Sequence, residues 1–203
     1  MAEPGWRQER KSGIAAIAGS IAVSAIIWVA IWQLLPPLHG METIGARLIV
    51  ALKCVALATL FCFVGGVEAV SHERLQSNAF DPLQGHETRR LRVNLRYLQN
   101  TLEQFIIFTV GLFGLAFYLD SGSAIRIVVA TTLIWILNRF AFWIGYHRSA
   151  AMRGLGAPSM AVSLIMLLYV VARIGLDIGG IAGAVIVLGL YLALEAVLFL
   201  KTR

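Results

Sequence analysis

What most constrains this chain is a succession of apolar stretches, each about twenty residues long, that follow one another with only short polar breaks. The interior of a bilayer offers no water to solvate peptide groups, so such stretches cross it as helices that satisfy their own backbone hydrogen bonds. The expected spans are 13–35, 43–70, 93–119, 124–147, 157–176 and 181–200. Pro36-Pro37 ends the first, and Asp177-Ile178-Gly179-Gly180 separates the last two. The first run is longer than the core of a signal peptide, which is about 7–15 residues, and is read as an uncleaved span. With 59% hydrophobic and 14% charged residues in 203, a water-soluble fold is excluded. The reading is an all-α integral membrane protein of about six helices, a single membrane domain over 1–203, with chemistry in or beside the bilayer.

The net charge of +6 does not point to nucleic acid, because no soluble basic face exists to carry it. It sits at helix ends instead. Arg7, Arg10 and Lys11, then Arg74, Arg89, Arg90 and Arg92, then Arg148 and Arg153, and finally Lys201 and Arg203 fall on one side of a six-span arrangement. The opposite connections, around His39, Asp120 and Asp177, are poor in basic residues, with Arg47, Arg126 and Arg173 as exceptions. Basic residues are retained on the cytoplasmic side, so a multi-pass protein of an inner or plasma membrane is expected, with both termini and the polar residues facing the cytoplasm. Cys54 and Cys62 lie too far apart along a helix to bridge each other. His39, His72, His86 and His147 show no ligand spacing, so no metal is expected. The segment 71–92 is the one long connection, and Gly179 and Gly183 have the spacing of close helix packing.

Ionisable residues inside a span are costly and tend to face protein. Arg96, Asn100 and Glu103 are spaced i, i+4, i+7, which puts them on one helical face. The next span carries Arg139, Phe142 and Tyr146 at helical spacing and ends in Arg148 and Arg153. Heights at about 1.5 Å per residue suggest that Glu103 pairs with Arg139. Simpler readings accompany these. Arg89, Arg90 and Arg92 serve as membrane anchors, and Arg148 as an anchor or a ligand contact. A Glu103–Arg139 pair can fix helix register without touching a ligand. Lys53, Glu68 and Glu195 read as interfacial groups, and Trp28, Trp32, Trp135 and Trp143 as interface anchors or packing.

The pattern Arg96-x-x-x-Asn100-x-x-Glu103, followed by Arg139 and by Gly145-Tyr146-His147-Arg148-Ser149-Ala150-Ala151-Met152-Arg153, resembles the MAPEG family, the membrane-associated proteins of eicosanoid and glutathione metabolism. That family includes microsomal glutathione transferases and leukotriene C4 synthase. The resemblance implies a four-helix bundle core over 43–176, with 13–35 and 181–200 as added N- and C-terminal spans. It further implies a homotrimer with glutathione, as co-substrate, between neighbouring subunits. On the same resemblance Arg74, Arg96, Asn100, Glu103, Arg139, Phe142, Tyr146 and Arg148 become candidate contacts for the tripeptide, and Arg153 and Tyr146 candidate catalytic residues. Gln104 stands where an aromatic residue is common, and Phe142 where a tyrosine often contacts the ligand.

The residue types suit that chemistry. Glutathione carries two carboxylates and one ammonium, for which forked guanidinium groups and one carboxylate are fitting partners. A cation beside its sulfur favours the thiolate, which attacks a lipophilic electrophile arriving from the bilayer. The expected activity is therefore a membrane-bound transferase or peroxidase using glutathione or another small thiol. A small transporter or channel-like protein with Arg and Glu along a pathway is the alternative from another class, and a non-catalytic protein of the same fold a third.

Overall fold

The computed structural model describes residues 4–202, so Arg203, one of the basic residues assigned to the C-terminal flank, lies outside the described part. Helix α1 (Pro4–Leu34) runs into Pro36-Pro37 and stops. Helix α2 (Ile44–Ala58) begins at Thr43, whose hydroxyl accepts from the Ala46 amide at 3.2 Å. It continues through a π-helical turn, Thr59–Val64, into α3 (Gly65–Leu75). After a short 3-10 turn at Pro82–Gln84, Thr88 caps α4 (Arg89–Tyr118) by accepting from the Leu91 amide at 3.0 Å. Helix α5 (Arg126–Arg148), a 3-10 segment (Ala151–Gly156) and α6 (Ala157–Lys201) complete the chain.

Five of these units are long and apolar enough to cross a membrane, α2 and α3 counting as one continuous unit. The last holds a reversal. Gly179 and Gly180 leave helical geometry, Gly180 at φ +60° and ψ −152°, a region that side chains other than glycine's rarely occupy. Beyond them, a Cβ built on Gly175 would sit 2.8 Å from the Ala184 Cα. In a straight helix residues that far apart are separated by about 13 Å, so the two arms of α6 turn back on each other. Each arm holds about twenty residues, the length that crosses a bilayer.

The core forms where α2, α4, α5 and the first arm of α6 meet. Trp135 and Phe108 stack at 4.5 Å, both fully buried, with Ala51, Ala58 and Leu112 around them. Glycines bring α4 onto α6: a Cβ on Gly111 would lie 3.3 Å from Met166 Cβ, and one on Gly114 2.6 Å from a Val170 methyl. By contrast α1 and the second arm of α6 are largely exposed, which is the expected state of helices facing lipid or another subunit. The π-helical turn adds a residue to α2–α3, and the Cys62 carbonyl within it accepts from the Tyr97 hydroxyl at 3.0 Å.

The basic residues that break the charge bias each have a local partner. Arg47 donates to the Met41 and Glu42 carbonyls at 3.0 and 3.2 Å, and Arg126 donates to the Leu35 carbonyl at 2.8 Å. Arg173 lies over the Tyr118 ring at 5.0 Å, while that tyrosine's hydroxyl donates to Asp177 at 2.7 Å. They tie together the loops at the end of the bundle opposite the Arg89–Arg92 cluster.

Candidate functional site

One cavity of about 410 Å³ opens at the arginine-rich end, between α4, α5 and the 3-10 segment. The one-face spacing on α4 has its effect here, because Arg96, Asn100 and Glu103 all line it. From α5 come Phe142 and Tyr146, and from the 3-10 segment Arg153. Arg96, Glu103 and Arg153 are exposed at its rim, whereas Asn100, Phe142 and Tyr146 are half-buried.

Arg139 stands behind this wall and is fully buried. The expected pairing with Glu103 is not what the structure contains. Arg139 donates through Nη1 to Asn100 Oδ1 at 3.0 Å and through Nη2 to Thr101 Oγ1 at 2.8 Å. Its guanidinium lies 4.6 Å from the centre of the Phe142 ring and 5.4 Å from that of Tyr97. The reason is register. Arg139 is about 13.5 Å from the end of α5 and Asn100 about 12 Å from Arg92, whereas Glu103 sits about one turn deeper. A buried cation is thus held by an amide, a hydroxyl and two ring faces instead of a carboxylate.

That outcome frees Glu103. Its carboxylate accepts one hydrogen bond, from Gln99 Nε2 at 3.2 Å, and Gln99 Oε1 in turn accepts from Arg96 at 3.1 Å. Gln99 therefore bridges a cation and an anion that make no direct ion pair. The two ion pairs among the described residues, Glu68–His72 and Glu73–Arg90, lie elsewhere.

Asn100 is oriented from two sides. Its Oδ1 accepts from both Arg139 and Gln104, the latter at 3.3 Å, which occupies the two lone pairs of the carbonyl. Its amide nitrogen, with no partner among the described residues, is left to donate to whatever enters the cavity. Gln104, which replaces the expected aromatic residue, also accepts from the Ser159 hydroxyl at 2.8 Å and so links α4 to the start of α6.

Besides Arg139, two of the sequence candidates are not brought into this cavity. Arg74, at the end of α3, is half-buried, and its Nε is buried without a hydrogen-bond partner, but it does not line the wall. Arg148 is exposed at the end of α5 and likewise stands outside. Gln99, Thr101 and Ser159 were not singled out by sequence. Thr101 and Ser159 are short hydroxyl residues in apolar helices, where bonding to the helix's own backbone is the ordinary expectation. Among the described residues no group of three or more His, Cys, Asp or Glu is placed to hold a metal ion.

These features define a multi-pass membrane protein of the all-α class whose mixed-charge cavity is assembled from two neighbouring helices and the turn that follows them. Residues 48–176 match the family model described as MAPEG family, and the chain belongs to that family. No curated protein and no solved structure matches it. The matched segment contains every residue lining the cavity, while α1 and the second arm of α6 fall outside it.

Proposed function

We propose that this protein is a membrane-bound, glutathione-dependent transferase or peroxidase. The observation that carries the reading is the charge pattern of the cavity: among the described residues, Arg96 and Arg153 have no carboxylate partner, Glu103 is free of Arg139, and the amide donors of Asn100 are unspent. Two fixed cations, one anion and an amide complement a ligand with two carboxylates, one ammonium and two peptide bonds. A simple phosphate has no use for Glu103.

In this reading Arg96 takes a carboxylate, Glu103 the ammonium, and Asn100 a peptide carbonyl. Arg153 stands beside the sulfur and favours the thiolate over the thiol, whose ordinary pKa of about 8.5 leaves it mostly protonated at neutral pH. Tyr146, whose hydroxyl has no partner among the described residues, donates a hydrogen bond to the sulfur or the peptide. The thiolate attacks an electrophilic carbon presented from the lipid side. With an aryl halide the S–C bond forms, halide leaves, and the thiol proton has already passed to water. The site works as part of a homotrimer at the cytoplasmic face, where Arg74 enters the cavity of a neighbouring subunit instead of its own.

The test uses the purified protein in detergent. Glutathione should raise the thermal midpoint, as a ligand of the native state must. It should also give thiolate absorbance on binding and turn over a halodinitrobenzene. Arg153→Ala should lower turnover more than binding. No thermal shift and no thiolate would reject the proposal. The transporter reading has weaker support, since the non-helical break at Gly179-Gly180 lies at the end of the bundle remote from the cavity.

A further inference from the structure

Arg153 carries most of the chemistry proposed above, yet its exposed side chain makes no hydrogen bond or ion pair among the described residues. Nothing at the tip of the side chain holds it. Its place is set by the backbone of the 3-10 segment Ala151–Gly156, so what matters is what grips that segment.

Two helices do. On one side is α5: a methyl group on Gly145 would overlap the Met152 carbonyl oxygen, and one on Gly156 would overlap Phe142 Cβ. On the other side is α1. A Cβ on Gly154 would lie 2.9 Å from Ile17 Cγ1 and 3.0 Å from the Gly13 carbonyl oxygen. One on Gly13 would lie 3.8 Å from the Ala151 carbonyl oxygen. The Ser20 hydroxyl stands 3.4 Å from the Gly154 carbonyl oxygen. A smaller cavity of about 290 Å³ between α1 and the segment shares Arg153 and Gly154 with the larger one. Helix α1 nevertheless lies wholly outside the family-matched residues 48–176.

We infer that α1 is a positioning element for Arg153, fixing the height and direction from which its side chain leaves the backbone by close packing of Gly13 and Ile17 against Gly154. The inference rests on the functional reading above for its catalytic consequence, but not for the packing itself. The charged and titratable groups around Arg153 are Glu9 and Arg10 of α1, Arg96 and Glu103 of α4 and Tyr146 of α5. The substitutions below alter none of them, so any change in the thiol reports position.

In the full-length protein, Gly13→Leu should push α1 off the segment. Ile17→Ala should loosen the same contact by removing atoms, without a clash. Gly13→Ala has room at 3.8 Å, and Gly19→Leu points into open space on the same helix, so these two are the controls. The expected result for Gly13→Leu is a bound glutathione thiol pKa raised by about one unit, read from the pH titration of thiolate absorbance, which is about a tenfold shift of the thiol–thiolate equilibrium constant. Turnover should fall in parallel while glutathione affinity stays within about twofold, the signature of a lost transition-state contact. Ile17→Ala should fall between wild type and Gly13→Leu, and both controls should match wild type. A folded Gly13→Leu with wild-type thiolate and turnover would overturn the inference, as would Gly19→Leu behaving like Gly13→Leu. If Gly13→Leu does not fold, Ile17→Ala decides in the same way.

A nitroxide on Arg153→Cys gives a readout independent of any thiol chemistry, since both native cysteines are buried. Its spectrum should be immobilised in the otherwise native protein and sharpen with Gly13→Leu or Ile17→Ala. Sharpening without any glutathione thiolate in the wild type would keep the packing role and reject the functional reading. Thiolate in the wild type with an unchanged spectrum would do the reverse.

Discussion

Arg139 is held by Asn100 and Thr101 while Glu103 stands apart at the cavity rim, and the separation sets what each does. A carboxylate left free at the rim is a receptor for an ammonium, which sets up a test that distinguishes ligand groups. Glu103→Gln should weaken glutathione binding about tenfold, in the range of a charge-assisted contact, and should leave binding of an analogue lacking the α-ammonium nearly unchanged. Equal loss for both ligands, measured by calorimetry, would remove Glu103 from that role. Arg139 acts at one remove. Arg139→Ala opens a void against the Tyr97 and Phe142 rings and should lower stability by about 2–5 kcal/mol. Arg139→Met fills the space without burying a charge and should cost much less, because a buried cation contributes little net stability. Both should loosen Asn100 and weaken thiol binding, so comparing thermal midpoints with affinities separates volume from charge. The α4 face was legible because Arg96, Asn100 and Glu103 are polar residues in an apolar helix at helical spacing. The partner of Arg139 was not, because a height estimate good to about one turn, about 5.4 Å, cannot choose between residues one turn apart.

At the scale of elements, the apolar runs mark the membrane-crossing helices and Pro36-Pro37 marks the end of α1, whereas α3 runs on to Leu75 and α4 begins at Arg89, both inside the segment 71–92 read as a connection. The π-helical turn Thr59–Val64 left no sign in a run read as one continuous apolar span, since its contacts are tertiary: Tyr97 and Gly66 meet beside it, and Cys62 offers its carbonyl. The 3-10 segment was equally hidden, because its conformation depends on two glycines, Gly145 and Gly156, that let it approach α5. The seam between α4 and α6 gives an element-scale prediction. Gly114→Leu meets Val170 and should lower the thermal midpoint by an amount equivalent to about 1–3 kcal/mol, whereas Gly189→Leu meets nothing and should be neutral. Similar midpoints for the two variants would show that the seam is not tight.

For the whole molecule, the reversal at Gly179-Gly180 brings the end of α6 back to the side from which it started, the side that also holds the start of α1 and the 3-10 segment. Reporter fusions at the N- and C-termini should therefore report the same side of the membrane. Opposite sides would mean that α6 crosses once and that the bend lies flat. In the proposed orientation, with basic residues retained on the cytoplasmic side, the cavity would open to a compartment where small thiols are kept reduced. Gly180→Ala should strain this turn by about 1–2 kcal/mol through its left-handed backbone, lowering the thermal midpoint without altering the cavity.

The same turn bears on biogenesis. Two apolar arms joined by only two non-helical residues present almost no connecting backbone without helical hydrogen bonds, which suits them to enter the bilayer as one hairpin. Their polar tip, with Asp177 tied to Tyr118, is then the only part that has to be carried across. Termination of synthesis after the first arm would strand that tip as a charged chain end in place of a closed turn, and membrane integration would lose the step that the second arm completes.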